Sequence, residues 1–166
     1  MMQLQTKRLA RLAVFTALAM ILSWIESQLP NFFPYPGMKL GLTNLVVVFS
    51  LYGTGKSDAA FINLVRIFLS GILFGNPYSI AYSLAGGVLS FASMLAFRKT
   101  GIFSVYGVSM AGGIFHNVGQ ILVAVVLIHN DKIFHYMPIL IVTGCVTGFF
   151  IGFLSDEVLR RIKFRG

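Results

Sequence analysis

Charged residues are scarce in this chain: they fill 11% of its 166 positions, less than half the roughly 25% of a soluble domain. That deficit leaves too little polar surface to coat a water-soluble globule. Acidic residues are fewest, five against thirteen Lys and Arg. Cysteine occurs once, as Cys145 in an apolar run, which excludes an internal disulfide framework or a thiolate metal site. No A-x-A site ends the first apolar run, which continues to about full membrane-spanning length, so no cleavable signal peptide is expected. What remains is apolar. Hydrophobic residues make up 57% of the chain and mean hydropathy is +0.83. The class this leaves is an integral membrane protein.

A span takes about 20 mostly apolar residues. Six segments are expected to cross: Leu9 to Gln28, Met38 to Tyr52, Asp58 to Phe74, Ile80 to Phe97, Val105 to Ile128, and Tyr136 to Leu159. The second and third are short, or one of them tilts and re-enters. Turn chemistry separates them: Pro30, Pro34, Pro36 and Gly37, then Gly53-Thr54-Gly55, Gly75-Asn76-Pro77, Lys99-Thr100-Gly101, and Asn130-Asp131. The segments lack the period-two alternation of barrel strands and are too long for them. The expected fold is therefore an all-α bundle of about six transmembrane helices, a single domain over residues 1–166. No fixed-period repeat is visible.

Ten basic residues fall at the two ends of the chain and in the two even-numbered hinges: Lys7, Arg8, Arg11, Lys56, Arg98, Lys99, Arg160, Arg161, Lys163 and Arg165. The positive-inside rule puts those places, and both termini, in the cytoplasm. The reverse orientation would leave only Lys39 and Lys132 inside. The net charge of +8 thus reads as loop charge facing an anionic leaflet, and no nucleic-acid partner is expected.

Small residues four apart mark helix-packing faces in lipid. Gly144, Gly148 and Gly152 form such a row, as do Gly71 with Gly75 and Ala13 with Ala17. Internal packing is the expected role of the glycine rows. The alanine pair lies in the cytoplasmic half of the first helix, where a partner subunit could dock.

Ionisable and amide groups within spans mark sites or relays. Arg66 lies mid-span and cannot shed its charge; it either faces a ligand or sits in a structural ion pair inside the bundle. Asn63 is three residues earlier on the same face. His116, Asn117 and Gln120 form one polar stripe on the fifth helix, flanked by Gly112, Gly113 and Gly119. Interhelical hydrogen bonding and substrate recognition compete evenly there, and one histidine with two amides makes a poor metal site. Lys39, Thr43 and Asn44 enter the second helix from the outer side. With Glu26, Lys39 forms either a polar mouth to a cavity or an ordinary surface salt bridge. Gly55-Lys56-Ser57 looks like the end of a phosphate-binding loop, but Ser50 stands where its first glycine belongs. ATP hydrolysis is not expected.

At Trp24-Ile25-Glu26, Pro34 through Gly37, and Lys39-Leu40-Gly41-Leu42-Thr43-Asn44, the chain resembles a bacterial membrane family known as heptaprenyl diphosphate synthase component I, or Gx transporter. That family is in turn similar to the substrate-binding S components of energy-coupling factor (ECF) importers. Those are six-helix proteins of the cell membrane that capture vitamins and related micronutrients and work with a coupling membrane subunit and ATPase subunits. The resemblance implies that Ala13 and Ala17 match an A-x-x-x-A motif contacting the coupling subunit. It also implies a ligand cavity that includes the segment from Pro34 to Asn44. The synthase name fits the residues poorly, because prenyl diphosphate synthases hold magnesium with clustered aspartates, whereas Asp58, Asp131 and Asp156 are isolated.

The leading expectation is a non-catalytic, cofactor-free subunit of an ECF-type importer. Its ligand is a small organic molecule, anionic or carrying a ring or prenyl moiety. Candidate contacts are Glu26, Lys39, Asn44, Asn63, Arg66, His116, Asn117 and Gln120. The alternative is a membrane accessory of isoprenoid or quinone metabolism. A solitary ion-driven carrier ranks last, because Glu26 is the one carboxylate available for coupling.

Overall fold

The computed structural model describes residues 2–29 and 39–162, with side chains from residue 5 onward. Its elements are α1 (Met2–Gln28), α2 (Asn44–Gly53), α3 (Lys56–Phe74), α4 (Pro77–Lys99), α5 (Val105–Ile128), a 3-10 turn (Asp131–Tyr136) and α6 (Met137–Arg161). No strand occurs among the described residues. Five helices are long and apolar enough to cross a membrane; α2, at 10 residues, is not. The Pro34–Gly37 motif, Met38, Lys163 and Arg165 lie outside the described residues.

Local chemistry explains the boundaries. Asn76 starts α4 with a capping box, its Oδ1 accepting from the Ser79 N–H at 2.8 Å, and Pro77 takes the first helical position where no N–H is needed. The helix therefore begins three residues before the apolar run. His129 ends α5 in the left-handed conformation, φ 52°. The first span extends back to Met2 because its polar first turns stay helical outside the apolar stretch.

The second crossing differs most from expectation. Helix begins at Asn44 rather than Met38, because Gly41 adopts φ +83°, which a helix does not accommodate. Ten residues of helix rise about 15 Å, half of the roughly 30 Å hydrocarbon layer. The stretch 39–43 covers part of the remainder in non-helical form, beginning beside the far end of α1: Ser23 and Thr43 hydroxyls meet at 3.1 Å, and Glu26 accepts from the Gly41 N–H at 2.5 Å. The segment finishes at the opposite end of α1, where α3 starts and Asp58 accepts from Arg8 Nε at 2.9 Å. Five long helices and one half-length one thus alternate in direction through the bundle.

All described basic ends gather on one side. Arg8 ties the start of α1 to the start of α3, Arg98 donates to the Leu51 carbonyl near the end of α2 at 2.6 Å, and Tyr106 at the start of α5 donates to Asp156 near the end of α6 at 2.9 Å. The start of α1 and the end of α6 therefore share one end of the bundle.

Helices α4, α5 and α6 pack along their lengths, α2 sits against α3, α5 and α6, and α1 packs on α3 and α2. Glycine governs the closest approach. A Cβ at Gly144 would stand 2.6 Å from the Gly113 carbonyl oxygen, and one at Gly148 2.6 Å from that of Ser109. Gly71 packs on Ile80 of α4 in the same manner. The expected glycine rows are thus internal contact faces. Ala13 and Ala17, in contrast, are exposed on the outer face of α1.

Candidate functional site

Two apolar clusters sandwich a polar layer. Toward the basic end, Val47, Val48, Leu51, Ala59, Met94, Val108 and Ile151 pack together. Toward the other, Tyr82, Ile121, Ala124, Ile133 and Leu140 do so. Between them, on the same helices, come Asn63 and Arg66 of α3, Gly86 and Gly87 of α4, and His116 and Gln120 of α5. The lead-in to α2 and Glu26 of α1 join this layer. Unpaired polar groups cost several kcal/mol in a region without water, so each hydrogen bond there carries information.

Arg66 is the largest fully buried side chain, 1% exposed. Its Nε and Nη2 both donate to Asn63 Oδ1, at 3.2 and 2.9 Å, and Asn63 in turn donates to the Gly87 carbonyl at 3.2 Å. The amide holds the guanidinium in place without neutralising it. None of the five carboxylates pairs with it: Asp58 is taken by Arg8 and Arg11, Asp156 by Arg160 and Glu157 by Arg161, and Asp131 sits in the 3-10 turn. Glu26 attracts Arg66 through space but forms no ion pair with it.

Glu26 is 7% exposed and faces the lead-in to α2. Its Oε1 accepts from the N–H groups of Gly41, at 2.5 Å, and Leu42, at 3.4 Å, and Oε2 has no partner. The salt bridge weighed for Glu26 and Lys39 does not form. Non-helical backbone inside the bundle needs acceptors for its N–H groups, and this carboxylate supplies one, so it faces the backbone instead of the ammonium.

A second tether runs from the same lead-in to α5. Lys39 N–H donates to Gln120 Oε1 at 3.3 Å, so Gln120 Nε2 is the donor to His116 Nε2 at 2.9 Å. The imidazole proton then resides on Nδ1, which lies beside Gly86 and has no hydrogen-bond partner among the described residues. This tautomer follows from the network. A Cβ at Gly41 would lie 3.1 Å from both His116 Cδ2 and Asn44 Nδ2, so Gly41 brings these two side chains together.

Of the eight candidate contacts, the structure groups Glu26, Lys39, Asn44, Asn63, Arg66, His116 and Gln120 in this layer. Asn117 departs from it. Its Nδ2 donates to the Leu140 carbonyl of α6 at 2.7 Å, an interhelical bond on the opposite side of α5. Sequence reasoning missed the Gly86-Gly87 pair. A Gly-Gly in the middle of an apolar span was the available signal, since it marks close approach.

A family model described as heptaprenyl diphosphate synthase component I matches residues 15–158. The chain belongs to that family. The match takes in α2 to α5 entire, about half of α1 and most of α6, so the polar layer lies wholly within it. No curated protein and no solved structure matched in the parallel comparisons. The aspartates of this family member stand at separate places: Asp58 and Asp156 among arginines at the basic end, Asp131 in the turn before α6.

Proposed function

We propose that this component I protein is a small-molecule capture subunit of a bacterial cell membrane importer, similar to the S components of ECF transporters. The observation that carries this reading is Arg66: a buried cation, steadied by Asn63 and paired with no carboxylate, in a polar layer midway through an apolar bundle. A buried unpaired charge is costly, and an anionic ligand group would offset it. Lys39 adds a second positive charge, half-buried at the start of the lead-in to α2. Aromatic residues, 14% of the chain, suit a ring or prenyl moiety. The protein would bind rather than transform its ligand, with no cofactor. The basic end of the bundle would face the cytoplasm. The exposed Ala13 and Ala17 would meet a coupling subunit, itself joined to ATPases.

The family's name favours a second reading, a non-catalytic membrane accessory that holds a polyprenyl diphosphate for a soluble synthase. Copurification separates the two. Tagged protein from its native membrane should bring down a coupling subunit and ATPases, and small molecules released from it should raise its melting temperature. Recovery of a soluble aspartate-rich synthase in their place, with altered prenyl products on deletion, would support the accessory.

A further inference from the structure

The polar layer contains three charged side chains, Arg66, Lys39 and Glu26. With Glu26 ionised, two are positive and one negative, so the layer carries one excess positive charge. In a low-dielectric interior this sets the charge of whatever binds, since the complex is most favourable when the total is near zero. A monoanion balances it. A diphosphate ester, with two or more negative charges, overshoots.

Glu26 adds a second requirement. Its Oε2 is buried without a hydrogen-bond partner, while Oε1 is occupied by the lead-in to α2. An ionised carboxylate oxygen only accepts, so with Glu26 ionised the missing partner is a donor. Arg66 presents the complementary demand, because its guanidinium has five N–H donors and Asn63 Oδ1 is its one hydrogen-bond acceptor among the described residues.

We propose that the ligand is a small organic molecule with one net negative charge, its anionic group on Arg66 and an N–H or O–H donor on Glu26 Oε2. An acid bearing an amine, amide or ring N–H is the class described. This inference rests on the capture reading and narrows it, and it disfavours an isoprenoid diphosphate in the same layer.

The experiment uses the full chain purified in detergent. Compounds released on denaturation are identified by mass spectrometry. Binding of each, and of geranyl diphosphate, is then measured for the native protein, Glu26→Gln and Arg66→Gln. Glu26→Gln is informative because the amide keeps an acceptor for Gly41 and Leu42 but turns the other position into a donor. Its melting temperature without ligand reports whether the lead-in is intact.

The expected result is a singly anionic compound with an N–H or O–H donor. Its affinity should fall roughly 10- to 100-fold in Glu26→Gln, the range for a lost hydrogen bond to a charged group, and at least as far in Arg66→Gln. Geranyl diphosphate should bind neither the native protein nor the variants. A released compound that is neutral, multiply anionic or without a donor overturns the inference and leaves the capture reading standing. So does unchanged affinity in a stably folded Glu26→Gln. If nothing is released and geranyl diphosphate does not bind, the capture reading itself fails, and the inference with it.

Discussion

On one side of α5 runs a seam of glycines against α6, and on the other lies a layer of charge shared with α1, α2, α3 and α4. The two are one residue apart. Asn117 turns to the seam and donates to a backbone carbonyl, while His116 turns to the layer and accepts from Gln120. In the seam, backbones approach until no Cβ fits at Gly113, Gly144 or Gly148. In the layer, a guanidinium is buried in no ion pair and a carboxylate oxygen with no hydrogen-bond partner. Stability comes from the first arrangement. The second costs stability, because its buried polar groups are incompletely paired.

Substitutions on either side of α5 should therefore differ in sign as well as size. The largest effect belongs to the seam: Gly144→Val would drive side-chain atoms into the Gly113 carbonyl and should cost about 3 kcal/mol or more, read as a lower melting temperature in detergent. Arg66→Met should act oppositely. Removing an unpaired buried charge should leave the empty protein as stable as before or up to about 1 kcal/mol more so, while affinity for its copurifying compound falls about 100-fold. A marked loss of stability in that variant would mean that Arg66 is structural and the contrast is wrong.

Asn117→Leu should cost about 1 kcal/mol, the scale of an interhelical hydrogen bond in a membrane, with ligand affinity unchanged in the same titration. Weakened binding there would join Asn117 to the layer after all. Smallest is Asp58→Asn at the basic end. It removes a carboxylate shared by Arg8 and Arg11, but Arg8 is 53% exposed. Screening keeps the expected loss below about 1 kcal/mol, measurable by urea or thermal unfolding at low salt and vanishing at high salt.

The helical bundle was legible in the sequence because hydropathy is additive along the chain. Val105–Ile128 emerged with both ends as read, and the glycine row of α6 met a partner as its spacing implied. What hydropathy could not reveal was the break inside the second pass. Residues 39–43 run straight into the apolar helix, and the decisive fact is the positive φ of Gly41, a conformation that glycine allows without announcing. Pairing was equally hidden. Glu26 and Lys39 invite a salt bridge by charge, yet the carboxylate answers the unfilled N–H groups of the backbone it faces. His116, Asn117 and Gln120 read as one stripe because i, i+3 and i, i+4 neighbours share a face. A helix packed on two sides divides such a stripe between them.

The half-length second helix has a consequence for how the protein is made. Its lead-in has backbone N–H groups that lipid cannot satisfy. One of them, on Gly41, finds its acceptor in Glu26, already synthesised and inserted with α1. Another, on Lys39, waits for Gln120, 81 residues later in the chain. The hydrogen bonds of this lead-in therefore cannot all form until α5 has been synthesised, so an early segment depends on a late one.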